Sequence, residues 1–163
     1  MFFALTSVAA ALLASASAGT VSASACRPGQ LSGRTFDSNG AAGTIVVSVM
    51  LTNTGSACSM RGYPGLILVH GYTALPTRVL HGGLSVLNQS PQLVVLAHRG
   101  AATVLIAYGD VPTGNESRCP TSTGIVVAPP GRLYGLTVPA RIQACNHGTL
   151  RESPVLAGTR KAP

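Results

Sequence analysis

Chemistry in this chain would have to come from four histidines, four carboxylates and four cysteines. His70, His81, His98 and His147 have no short pairing, and Asp110 and Glu116, which fall between His98 and His147, sit in a Gly- and Pro-rich stretch. No familiar metal-ligand spacing results. His70 and His81 meeting in space is the arrangement that would build a metal or general-base site, and isolated surface histidines are the expectation instead. A Gly-x-Ser-x-Gly elbow is missing, so there is no sign of a serine nucleophile positioned on a strand-to-helix turn. A paired-carboxylate hydrolase would draw on nearly every acidic residue in the chain. Gly82-Gly83 has no following Lys that would make it a phosphate cradle, and it reads as a turn. The expectation is therefore no catalytic residue, no metal ligand, no cofactor and no enzymatic activity.

The cysteines point to stapling. An even number in an exported chain forms disulfides more naturally than thiolate sites, and four cysteines permit three pairings. Cys119 and Cys145 bracket two β-rich runs, Thr123 to Ala128 and Leu133 to Val138, joined by Pro129-Pro130-Gly131-Arg132. Antiparallel pairing of those runs would bring the two cysteines together. Cys26 and Cys58 bracket Leu31 to Phe36 and Gly43 to Asn53 in the same way, about a turn expected at Asp37-Ser38-Asn39-Gly40. The pairing hypothesis is Cys26 with Cys58 and Cys119 with Cys145. Export itself is suggested by residues 1–25, which carry no charged side chain, run apolar from Phe2 to Leu13, and end in Ala23-Ser24-Ala25, a small-residue cleavage site. The apolar run is shorter than the ~18 residues that a membrane span needs, so no stable transmembrane segment is expected after cleavage. Cys26 directly after that site makes a lipid-modified cysteine the alternative to a disulfide.

Charge is the remaining functional clue. Eleven Lys and Arg against four Asp and Glu give a formal net charge of +7, all of it beyond residue 25. Such a field favours anionic surroundings. For an exported chain these are envelope lipids, anionic cell-wall polymers or acidic glycans. Nucleic acid is not expected, because no recognition motif or aromatic and basic platform is present. The arginines are dispersed and mostly near turns. Arg61, Arg78 and Arg99, with Tyr63, are the candidate interaction residues.

The elements that position these side chains are strands. Ile45 to Thr52 is β-branched and partly alternating, then stops at Asn53-Thr54-Gly55, a turn composition. Leu66 to His70, Gln92 to Ala97, Ala101 to Tyr108 and the pair around Pro129-Pro130 are further runs bounded by Gly, Pro or Asn. With 19 Gly, 11 Pro and 9% charged residues, the part after residue 25 reads as one all-β domain, residues 26–163. Short strands in this number favour an antiparallel β-sandwich of immunoglobulin-like architecture stapled by two disulfides. Trp is absent, so the likeness is architectural.

The combination Leu51-Thr52-Asn53-Thr54-Gly55-Ser56, Cys58 and Gly62-Tyr63-Pro64-Gly65 resembles the secreted actinobacterial family catalogued as domain of unknown function 4232. Arg99-Gly100 before an apolar strand, Cys119, Pro129-Pro130, Cys145 and Ser153-Pro154-Val155 extend the resemblance over the chain after the leader. It implies export and a β-sandwich with paired cysteines, and brings no activity with it. Within the motif, Pro64 fixes its own φ and pushes Tyr63 towards extended backbone, so the ring is held in one direction. The expectation is that this ring packs over the disulfide with its hydroxyl on a backbone acceptor, the alternative being an exposed binding contact. As a whole the sequence points first to a non-enzymatic secreted or envelope-associated interaction module with an envelope protein or anionic polymer as partner. A structural envelope component is second, and a hydrolase or metal-dependent enzyme third.

Overall fold

An apolar strand without alternation must be covered on both faces, and the run from Ala101 to Gly109 organises the molecule for that reason. The computed structural model describes residues 23–163. Its strands are β1 (Ser24–Ala25), β2 (Leu31–Ala41), β3 (Thr44–Asn53), β4 (Cys58–Met60), β5 (Gly65–His70), β6 (Thr73–Ala74), β7 (Arg78–His81), β8 (Val94–Leu96), β9 (Ala101–Gly109), β10 (Gly124–Ala128), β11 (Leu136–Pro139), β12 (Thr149–Glu152) and β13 (Leu156–Ala157). Along β9, Ala102, Val104, Ile106 and Tyr108 enter the main core with Val49, Leu51, Leu68 and Ile125. The intervening Leu105 and Ala107 join Val46, Leu87 and Leu156 in a second cluster on the other face. The period of two divides one strand between two cores.

β9 is central in the largest sheet, whose order is β2-β3-β9-β12-β7, with β13 also paired to β9. A four-stranded sheet, β11-β10-β5-β6, and a small one, β1-β4-β8, complete a β-sandwich-like, all-β fold. The sheets approach closely at Gly33 of β2, where a Cβ would collide with Val138 Cγ2 of β11. Any side chain there would push the layers apart.

The β2–β3 hairpin is longer than the turn composition suggests. Asp37-Ser38-Asn39-Gly40 does not turn. It runs as strand opposite Ser48, Val47, Val46 and Ile45, after an irregularity between Thr35 and Asp37. The reversal falls at Ala42-Gly43, both with positive φ (49° and 77°), the backbone of a two-residue hairpin turn. The β-branched run of β3 offers a full ladder of backbone groups, and pairing them outweighs the local turn preference of Asp37 to Gly40.

Cys26 is bonded to Cys58 and Cys119 to Cys145, across sequence separations of 32 and 26. The second bond closes the open end of the β10–β11 hairpin, the geometry expected from two runs flanking a Pro-Pro turn. The first ties the chain ahead of β2 to β4. Most of the expected leader, residues 1–22, lies outside the described residues. Ser24 and Ala25 pair in parallel with Cys58 and Ser59, so cleavage after Ala25 would remove β1. Among the described residues no helix is long and apolar enough to cross a membrane.

Candidate functional site

Two short strands without a recognisable sequence signature carry the most unusual chemistry. β7 (Arg78-Val79-Leu80-His81) lies parallel to β12 (Thr149-Leu150-Arg151-Glu152) in direct register, each residue beside its counterpart. Alternation then sorts the side chains to two faces. Val79, Leu150, His81 and Glu152 turn to the core side, and Arg78, Leu80, Thr149 and Arg151 turn outward.

On the core side Glu152 is completely buried. Its Oε1 lies 2.9 Å from His81 Nδ1. The ring is within hydrogen-bond distance, but neither carboxyl oxygen has an aligned hydrogen-bond partner among the described residues. We read the contact as a proximity pair between a buried acid and a partly exposed imidazole. Burial pushes the Glu152 carboxyl up to about 8, so it is mostly neutral at pH 7. The imidazole is stacked on Tyr63, ring centroids 4.0 Å apart and planes 21° from parallel. Tyr63 thus meets His81, and its hydroxyl makes no hydrogen bond to another described residue, in contrast to the backbone acceptor expected for it. Gly62 O accepts from Val155 N, which stitches Gly62-Tyr63-Pro64 to the segment following Glu152. That contact explains why two motifs far apart in sequence belong together.

On the outer side an open groove of about 660 Å³ runs over β3, β9, β12 and β7. Arg78 and Arg151 line it together with Leu80, Leu84, Ala107 and Val111. Arg151 is half-buried and lies against the Gly82-Gly83 turn, where a Cβ on Gly83 would collide with its Nη1. Its one hydrogen bond among the described residues is a long one, 3.5 Å, to Gly82 O. Tyr108 also lines the groove, and burial first, then the Asp110 charge, pushes its phenol upward, so it is a neutral hydroxyl. Among the described residues no acidic one lines the groove.

Of the residues singled out from sequence, Arg78 lines this groove, while Tyr63 sits at the opposite face of the same ladder. Arg61 and Arg99 are exposed and line no part of it. Arg99 takes a left-handed φ of 64° in a turn where its N–H donates to Asn53 O. The histidines do not converge. His70 Nδ1 contacts Thr121 O, His98 Nδ1 contacts Gly55 O, and His147 occupies a left-handed turn. Glu116 accepts from the backbone N–H groups of Asn146 and His147, which holds that turn. It also lies beside Cys119 and Cys145, whose sulfurs are bonded to each other and are not free as ligands. Asn53, in the motif, is a buried hub. Its Nδ2 donates to Ser56 O and Leu96 O, and its Oδ1 accepts from Gly55 N.

Sequence reasoning missed Glu152, Arg151 and the pairing that joins them to His81 and Arg78. Their strands are four residues long and each carries charge, and nothing local marks Glu152 as buried. The one available signal was its position directly before Ser153-Pro154-Val155.

The fold and these sites define a disulfide-stapled, β-sandwich-like domain with a buried acid–imidazole pair and a cationic groove. Residues 26–156 match the family described as "Domain of unknown function (DUF4232)", and the chain belongs to that family. No curated protein and no solved structure matches it.

Proposed function

We propose that this chain is an exported, non-enzymatic binding module that engages an anionic partner in the cell envelope. The observation that carries this reading is its unneutralised charge. Among the described residues the single contact between a basic group and a carboxylate is His81 with Glu152, so none of the 11 Lys and Arg has a carboxylate partner. Arg132 donates to the carbonyls of Ala25 and Cys26, and Arg160 to that of Ala157. These contacts leave the positive charge in place. The acids, meanwhile, have structural uses. Asp37 accepts from Ala162 N, Glu116 holds a turn, and Glu152 is enclosed, which leaves Asp110 exposed. Two disulfides suit an oxidising, extracytoplasmic compartment.

The test is cosedimentation of the oxidised protein with an envelope fraction from its own source. Binding is expected to fall steeply between about 0.05 and 0.5 M NaCl, as screening shortens the reach of surface charge. Salt-independent binding, or none at low salt, would overturn the reading. Intact mass of the exported protein reports leader removal, lipid and both disulfides in one measurement.

A further inference from the structure

The outer groove combines two features that a purely solubilising surface does not need. Its cations stand beside an apolar wall formed by Leu80, Leu84 and Val111 over the small residue Ala107, and its volume of about 660 Å³ suits an organic molecule rather than an inorganic ion. Arg151 is half-buried and spends one of its five donors on a long contact, so the guanidinium fork is free to meet a planar or tetrahedral oxyanion. Its seat depends on Gly82 and Gly83, both with positive φ (65° and 88°). Gly83 leaves room for the guanidinium, and its N–H is held by Asn88 Oδ1 at 2.8 Å. Arg78 makes no side-chain hydrogen bond to another described residue and lies two residues from Leu80, on the same face.

We infer that this groove binds an amphiphilic anion, a phosphate- or carboxylate-headed molecule whose head meets Arg78 and Arg151 and whose aliphatic body lies along Leu80, Leu84 and Val111. The inference rests on the binding-module reading and names its site and ligand class. Asp110 stands outside the groove but close enough to influence Tyr108, so it opposes an anion there.

The probe is dihexanoyl phosphatidic acid, kept monomeric and titrated into the full oxidised chain by calorimetry. Inorganic phosphate serves as a head-only control and dihexanoyl phosphatidylcholine as a zwitterionic control. Phosphatidic acid is expected to bind at least about ten-fold tighter than either, since its buried aliphatic chains add affinity that inorganic phosphate lacks and the free guanidinium donors select the uncapped phosphate. Arg78→Glu, a change at an exposed residue that leaves the core intact, is expected to cost about ten-fold or more. Asp110→Asn is expected to raise affinity about two-fold by removing an opposing charge, an effect that damage to the fold does not produce. Phosphatidylcholine vesicles doped with phosphatidic acid separate the sources. Binding to vesicles and monomer alike supports a membrane lipid, and binding to monomer alone supports a free amphiphile.

Equal affinity for the acid and choline probes, or unchanged affinity in Arg78→Glu, would overturn the assignment. If the groove fails while salt-sensitive envelope binding persists, the binding-module reading stands without this site. If envelope binding fails while phosphatidic acid binds through Arg78, the groove stands and the envelope partner falls.

Discussion

Glu152 and Asn53 are both fully buried, and they show two ways of enclosing a polar side chain. Asn53 is satisfied on both ends of its amide, which also fixes the amide's orientation, because carbonyls surround Nδ2 and an N–H faces Oδ1. Asn53→Asp would direct a carboxylate at the carbonyls of Ser56 and Leu96, and should cost about 3 kcal/mol, read as a lowered urea midpoint at pH 7. An unchanged midpoint would refute the hub role. Glu152 is enclosed without aligned donors, so its ionisation opposes folding. Its folded pKa is raised, to about 8, above the ordinary 4.5. Its stability contribution is therefore fully present below about pH 4.5 and is lost as pH rises through about 8. At one pKa unit per 1.36 kcal/mol, the loss across that window is on the order of 5 kcal/mol. Glu152→Gln should flatten this part of the stability-versus-pH curve and make the protein more stable than wild type at pH 8. A variant that kept the slope would show that another group titrates.

At the scale of elements, the ladders with long β-branched runs were legible and the short ones were not. β3, β5, β9 and β10 follow from Ile, Val and Leu runs bounded by Gly, Pro or Asn, since such residues fit a pleated, covered surface. β7 and β12 were invisible because four residues that include charged side chains hold no period, and their parallel register is set by β9 and the turns around them. The candidate site was correspondingly half-legible. Arg78 and Tyr63 were chosen for charge and backbone constraint, while Glu152 and Arg151 acquire their roles from neighbours distant in sequence. The misplaced hairpin turn yields an expectation of its own. Ala42 occupies a left-handed φ of 49° ahead of Gly43, a conformation that costs a Cβ-bearing residue about 1 kcal/mol and that Asn tolerates better. Ala42→Asn should raise stability by about 0.5 kcal/mol and increase the thermal midpoint by a few degrees. A lower midpoint would mean that the reversal lies elsewhere, as at Asp37 to Gly40.

For the whole molecule, salt should act on folding and on binding in opposite directions. A chain of 163 residues with a net charge of +7 and no Lys or Arg neutralised by a carboxylate among its described residues has self-repulsion and almost no compensating surface ion pairs. Screening removes the repulsion and has few attractions to weaken. The disulfides hold the fold through this repulsion, each contributing about 3.5 kcal/mol for loops of this length in the chain-entropy treatment. Raising NaCl from about 0.02 to 0.3 M at pH 7 should thus raise the thermal midpoint of the oxidised protein. On the proposed binding role, the same change should weaken the hold on an anionic partner. Measuring both on one preparation separates the two origins of salt sensitivity. A falling midpoint would show that attractive pairs outweigh repulsion. A rising midpoint with weakening binding is the combination expected of a surface whose positive charge is left free for a partner.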